Sequence, residues 1–273
     1  MNVAYHLHKL GIKSHLVSSV GDDAAGVELL NFLENRGLDV DLIQIDPNHR
    51  TSEVIATLNN QHEVSYTILA DVAWDHIRPD PSCAATIRGA DAFVFGSLSS
   101  RNAESSQTLL HMLHNAPYRV FDVNLREPHY TPERILALLS HADLLKVNAQ
   151  ELELIAKWTG CHRERQADTI EKLFEAFKLK EVLVTKGAQG ATYYNALVTY
   201  NYPAYPIHVK DTIGSGDSFL AAFLSMKLTG APLEIALDYA AAMGAFITGQ
   251  SGACPEYSRA DLERFLWKRK LGI

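Results

Sequence analysis

Residues 211–219 read Asp-Thr-Ile-Gly-Ser-Gly-Asp-Ser-Phe, and an apolar series at helical spacing, Phe219, Leu220, Phe223, Leu224 and Leu228, begins at once. The spacing puts the Gly214-Ser215-Gly216 turn at a helix N-terminus. Unpaired N–H groups and the positive end of the helix dipole converge at such a turn, so it can hold an anion or offset negative charge as it develops. Glycine suits it because a Cβ keeps backbone away from phosphate oxygens. Asp217 falls in the first turn, where its carboxylate would face the same point and take a proton from an alcohol during phosphoryl transfer. An Asp there also serves as a cap or dipole partner, so these features alone leave both roles open. No G-x-x-x-x-G-K-[ST] phosphate loop occurs in the chain.

The elements that must position this turn follow an alternating pattern. Runs at 92–96, 118–124, 143–147 and 182–185 are apolar and rich in β-branched or aromatic residues, as buried strands are. Residues 103–115, 132–140, 149–159, 168–179, 217–229 and 232–248 carry helical period, with stop signals at Gly160 and Gly230. Alternation of this kind predicts an α/β, doubly wound, mostly parallel sheet flanked by helices. Residues 51–58 and 64–70 break it. They alternate with period two around the polar turn 59–63, so they read as an antiparallel hairpin, either an edge extension or a flap that excludes water from an active site. Residues 2–10 read as an amphipathic helix with Val3, Leu7 and Leu10 on one face. An α/β domain ordinarily opens with a strand, so a strand is expected upstream of Met1. One domain over 1–273 with a lid at 46–75 is the expected organisation.

The segment 211–219 resembles the D-T-x-G-[AS]-G-D-x-F signature of the ribokinase-like PfkB carbohydrate kinases, and the resemblance runs over nearly the whole chain. It implies ATP and Mg²⁺, an anion hole from Gly214, Ser215 and Gly216, and Asp217 as catalytic base. Asn2-Val3-Ala4 with Leu10-Gly11 is similar to the family's N-terminal segment cut just after its paired glycines, which makes Asn2 a sugar contact. Val20-Gly21-Asp22-Asp23 with Gly26 matches a structural turn. Asn148 and Glu151 resemble the N-x-x-E motif, which places Mg²⁺ and phosphates largely through water; a helix start at Asn148 is the other reading, and the two are compatible. Thr185, Gly187 and Gly190 resemble a turn that borders the nucleotide. Gly252 lies in the loop that closes on adenine, and Asp211 with the backbone of Ile213 and Gly252 would surround a monovalent cation, K⁺. Glu256 stands where members often carry a small polar residue, a departure from the family pattern at that cation site.

Within the family, Phe121-Asp122-Val123-Asn124-Leu125-Arg126, Tyr66-Thr67-Ile68 with Ala73-Trp74-Asp75, and Phe95-Gly96-Ser97-Leu98 with Arg101 resemble the fructokinase branch. Asp122, Asn124 and Arg126 end a strand, where open α/β sheets bind ligands. Arg126 would meet a phosphate or sugar oxygen, or pair with Asp122; Trp74 would cover a sugar or pack the hinge under the flap. The implied reaction is ATP-dependent phosphorylation of a ketohexose, fructose to fructose 6-phosphate. The alternatives are a kinase for 2-keto-3-deoxygluconate, ribose or a nucleoside, and a sugar- or nucleotide-binding homologue without turnover.

Composition narrows the partners. A formal net charge of −7 over 273 residues opposes nucleic acid and anionic membrane. Three cysteines without C-x-x-C spacing and the lack of a signal-like or spanning apolar run predict a cytoplasmic protein with reduced thiols. A homodimer through the lid is the expected assembly.

Overall fold

The computed structural model describes residues 1–58 and 64–271. The first part of the chain holds α1 (Asn2–Lys9), β1 (Ser18–Gly21), α2 (Ala24–Glu34), β2 (Ile43–Asp46), β3 (Val54–Leu58), β4 (Val64–Ile68), α3 (Pro81–Gly89) and β5 (Phe93–Gly96). The middle continues through α4 (Ala103–Asn115), β6 (Arg119–Asp122), α5 (Pro132–Leu139), β7 (Leu144–Asn148), α6 (Ala149–Trp158), α7 (Gln166–Phe177) and β8 (Glu181–Thr185). Last come β9 (Ala191–Asn195), β10 (Thr199–Tyr202), α8 (Ser215–Leu228), α9 (Leu233–Thr248) and α10 (Arg259–Leu271).

The central sheet has the order β10-β9-β8-β7-β6-β5, parallel from β5 to β8 and antiparallel over β8-β9-β10. Successive strand residues point to opposite faces, so both faces must be covered. Val120, Leu144, Leu183 and Tyr193 face α1, α8 and α9, while Phe121, Leu145, Val182 and Tyr194 face the layer of α4 to α7. A helix apolar all round belongs in the interior. Accordingly α8 is buried continuously from Ser218 to Ser225. This is the expected α/β sandwich with a mostly parallel sheet. The pairs β1-β2, parallel, and β9-β10, antiparallel, were not foreseen, although Tyr193, Tyr194, Tyr200 and Tyr202 carry the aromatic signature of strands.

The hairpin pairs Val54 with Ile68 and Leu58 with Val64, and forms a sheet of its own instead of an edge of the central one. Its expected turn at 59–63 lies outside the described residues. Strand character begins at Val54 and not at Thr51, because the Thr51 N–H and hydroxyl both donate to Asp23, which also caps α2 through the Gly26 N–H. Gly21 and Gly26 serve this knot directly: a Cβ on Gly26 would lie 2.2 Å from the Gly21 carbonyl oxygen. The returning root is held by buried Arg101, which donates to both oxygens of Asp75 and to the Leu69 carbonyl, and stacks 4.0 Å from the Trp74 ring. Trp74 therefore packs the hinge.

Helices α8 and α7 are displaced from the pattern by two residues at their starts. Helix α8 begins at Ser215 because Gly214, at φ 77°, takes the N-cap, so Ser215 and Gly216 are helical residues. Helix α7 spans Gln166–Phe177, not 168–179, and stops where Lys178 turns left-handed.

Helix α1 buries Tyr5 and His6 as well as Leu7. The His6 ring donates from Nε2 to the Ala253 carbonyl and accepts at Nδ1 from the Tyr257 hydroxyl. Burial pushes its pKa down to about 4. The unfolded chain takes up this proton near pH 6.5 and the folded chain does not, so stability falls as pH drops from 6.5 toward 4 and is unaffected by His6 above that window. Urea unfolding should show the parent losing about 2–3 kcal/mol more than His6→Gln between pH 7 and pH 4.5; parallel losses would remove His6 as the cause.

Candidate active site

The turn at the start of α8 is fixed by contact. A Cβ on Gly214 would stand 2.8 Å from Ala253 Cα, and its positive φ favours glycine independently. Helix α9 braces the turn from below: the Ser215 hydroxyl donates to the Gly244 carbonyl, and Thr248 Oγ1 lies 3.1 Å from Ser215 Oγ. The first helical bond runs from Ser218 N–H to the Gly214 carbonyl. By position, the N–H groups of Gly216 and Asp217 have no acceptor within the helix, so they are free for an anion.

Asp217 sits in the first turn of α8 and is partly open to solvent. Its Oδ2 accepts from Asn2 Nδ2 at 2.7 Å. The Asn2 amide oxygen faces Cys254 Sγ at 3.5 Å. Residues 253–257 are gripped by α1 through His6, through Tyr5, whose hydroxyl donates to the Pro255 carbonyl, and through Lys9, whose ammonium meets Glu256. Glu256 also pairs with Arg36, so this departure from the usual small residue is a surface clasp.

Beneath the turn lies a buried ion pair, Lys146 Nζ to Asp122 Oδ1 at 2.9 Å. Asp122 ends β6, and its partner is Lys146, not Arg126. Arg126 is exposed and donates to the Leu125 carbonyl beside it. Asn124 adopts φ 42°, a conformation Asn tolerates, and its carbonyl accepts from Ser97. Burial alone would lower the Lys146 pKa, but Asp122, Asp217 and Glu151 outweigh it and raise it. Burial raises Asp122 to about 6 against the pull of Lys146. A Cβ on Gly216 would stand 3.1 Å from Lys146 Nζ, which puts this ammonium directly under the glycine turn.

Asn148 and Glu151 form a capping box at the start of α6: each side chain takes the other's backbone N–H. Glu151 Oε1 also accepts from the Leu125 N–H, tying the strand ends of β6 and β7 together. With both oxygens engaged by backbone donors, this buried carboxylate suits contact with hydrated Mg²⁺ through water better than direct ligation. On the other side of β7, the Thr185 hydroxyl donates to the Val147 carbonyl. Gly187 and Gly190 carry positive φ, and a Cβ on Gly190 would lie 2.0 Å from the Tyr202 carbonyl oxygen. Asp211 accepts from the N–H groups of Ile213 and Gly252, closing the loop after α9 onto the α8 turn.

The sequence model of the family described as pfkB family carbohydrate kinase matches residues 1–259. The chain belongs to this family. Among relatives, the kinase is 30% identical to the probable fructokinase-3 of Arabidopsis thaliana, over 93% of this chain and 77% of the relative. It is 29% identical to the fructokinase of Escherichia coli, over 82% and 74% of the two chains. The fructokinase of Xylella fastidiosa with bound ATP superposes with a TM-score of 0.87 at 20% identity, covering 98% of this chain and 89% of that one. The chain is accordingly a phosphotransferase with an alcohol acceptor.

The kinase thus gathers Asn2, Asp122, Gly214, Ser215, Gly216 and Asp217 around one point, with Asn148 and Glu151 behind it. Lys146 was missed, although a lysine inside the apolar run 143–147 is itself a signal: a buried ammonium requires a carboxylate. Lys146→Met should cost about 3–5 kcal/mol by leaving Asp122 uncompensated. The double variant Lys146→Met/Asp122→Asn should recover much of that in denaturant unfolding; equal losses would show that the pair does not act as a unit.

Proposed function

We propose that this kinase transfers the γ-phosphate of ATP to the 6-hydroxyl of fructose, with Asp217 as the general base. The observation that carries this reading is the placement of a solvent-accessible carboxylate in the same helical turn as two free backbone N–H groups. Asp217 takes the hydroxyl proton as the oxygen attacks, and the amide of Asn2 holds the carboxylate in the orientation needed for that transfer. The N–H groups of Gly216 and Asp217, with the dipole of α8 behind them, offset charge on the phosphoryl oxygens in the transition state. Lys146 adds a fixed positive charge beneath that turn, already balanced by Asp122 in the resting site.

Asn148 and Glu151 would hold Mg²⁺ through its waters, and when bound the ion supplies charge neutralisation on the nucleotide phosphates. Both oxygens of Asp211 serve loop closure, and no step is assigned to K⁺. Thr185, Gly187, Gly190 and Gly252 border the nucleotide in this reading. Asn124 and the remaining donors of Arg126 stand at the strand ends as sugar or phosphate contacts. The lid closes over the sugar and excludes water, which otherwise competes as acceptor.

The same reading extends to partners and place. Val54 and Ile55 are 60% and 45% exposed, and neighbouring strand residues point to opposite faces, so apolar surface on both faces of the lid supports a homodimer formed through it. Cys83, Cys161 and Cys254 are free thiols, in keeping with a reducing, cytoplasmic compartment. Among the described residues, no helix is long and apolar enough to cross a membrane.

Asp217→Asn should reduce kcat by about 10²–10⁴-fold while ATP affinity, measured by calorimetry, changes little. Turnover unchanged in that variant removes Asp217 as base. A panel of fructose, ribose, 2-keto-3-deoxygluconate and nucleosides, read as ADP released, should favour fructose in kcat/KM; preference for another acceptor rejects the substrate while leaving the base assignment standing.

A further inference from the structure

The two roots of the lid meet in a cluster that the phosphoryl-transfer chemistry does not use. His49 precedes β3, whereas Asp71 and His76 follow β4, and one ligand-type atom from each lies within 4.8 Å of the others. The His76 ring faces a carboxylate at each nitrogen, Glu104 Oε2 at 2.9 Å from Nδ1 and Asp71 Oδ1 at 2.9 Å from Nε2. The His49 ring meets Asp46 Oδ2 at 3.0 Å from Nδ1, and its Nε2 lies 4.0 Å from the same Asp71 Oδ1, beyond hydrogen-bond reach. The two rings stack with centroids 3.6 Å apart and planes 11° from parallel. Arg78 touches Asp46 and Glu104, the outer carboxylates, and not the ligand-type atoms.

This arrangement needs positive charge at the shared carboxylate. A neutral imidazole that donates from Nδ1 presents a lone pair at Nε2, and a lone pair repels the Asp71 oxygen. Protonating His76 satisfies its two short contacts, but a proton on His49 as well would bring two imidazolium cations into stacking contact, and without it the His49 Nε2 lone pair faces Asp71 Oδ1 at 4.0 Å. One divalent ion between the two Nε2 atoms and Asp71 does the same work without that repulsion, and the Nδ1–carboxylate pairs already fix the tautomer that a metal-bound histidine uses.

We propose that His49, Asp71 and His76 form a zinc(II) site that ties the outgoing root of the lid to the returning one. Two imidazoles and a carboxylate leave a fourth position for water and suit Zn²⁺, whereas Mg²⁺ prefers an all-oxygen set, so the site is independent of the nucleotide's ion. The stacked rings do not yet converge. Zinc entry turns each ring about its Nδ1–carboxylate contact until both nitrogens lie about 2.0–2.1 Å from the metal. The consequence is a hinge whose freedom depends on bound metal.

The test titrates Zn²⁺ into chelator-stripped enzyme with excess Mg²⁺ present, reading affinity by competition with a chromogenic chelator. One equivalent should bind, Glu104→Gln should weaken it about 10–100-fold, and Asp71→Asn and the double variant His49→Gln/His76→Gln should weaken it further. Asp71 is 78% exposed at its side chain, so its variant serves even where a histidine variant fails to fold. Hydrogen exchange of the segments around residues 49 and 71 should slow when zinc is added. Failure of the parent to bind zinc, equal affinity in Asp71→Asn, or unchanged exchange at the roots overturns the site.

Discussion

Everything in the site hangs on how closely the backbone at Ala253 approaches Gly214. A Cβ at Gly214 would clash with Ala253 Cα at 2.8 Å, so the turn and the loop are two halves of one packed surface. The loop is itself immobilised by α1, through the buried His6 and the Tyr5 hydroxyl, and by Asp211 through the Gly252 N–H. Helix α1 thereby does two jobs at once. It seats the loop that packs against the Gly214 turn, and from its first residues it extends Asn2 to the Asp217 carboxylate.

The electrostatics beneath this frame are unbalanced in a useful sense. Asp122, Asp217 and Glu151 all act on Lys146, a single ammonium. Water screens little at this depth, so the surplus of negative charge favours cations entering from the open side and disfavours a bare nucleotide. Such a site gains from binding ATP with its metal, because the ion offsets carboxylates and phosphates together. The amides of α8 contribute without adding a mobile charge, since they are fixed by the helix itself.

The part of this that could be read from the sequence is the part that local physics decides. The Gly-Ser-Gly turn and its helix were legible because glycine spacing and helical period are both short-range signals, and β5 to β8 because strands buried on two faces must be apolar throughout. The two-residue slip at the start of α8, from 217 to Ser215, arose because an N-cap depends on φ at Gly214, which composition does not encode. The partner of Asp122 was not legible for a similar reason: Arg126, one of the two readings, lies close along the chain, but Lys146 lies on the adjacent strand, and register alone brings it opposite. Likewise the capping box of Asn148 and Glu151 was open to two readings, since the pair of residues that starts a helix also lies where a hydrated ion would approach.

The hairpin poses a different problem, that of a sheet with two strands among the described residues. A lone hairpin is marginal by itself, so its geometry must be imposed by its roots. Both roots are built from buried polar knots: Asp23 holds Thr51 at the outgoing side, and Arg101 holds Leu69 and Asp75 at the returning side. Because Arg101 also stacks on Trp74 and leads into α4, any displacement of the returning strand is transmitted to the layer that supports β5 and β6. The two roots are thereby pinned to the body, and His49, Asp71 and His76 flank the same knots, so a metal bound there would tie one root to the other.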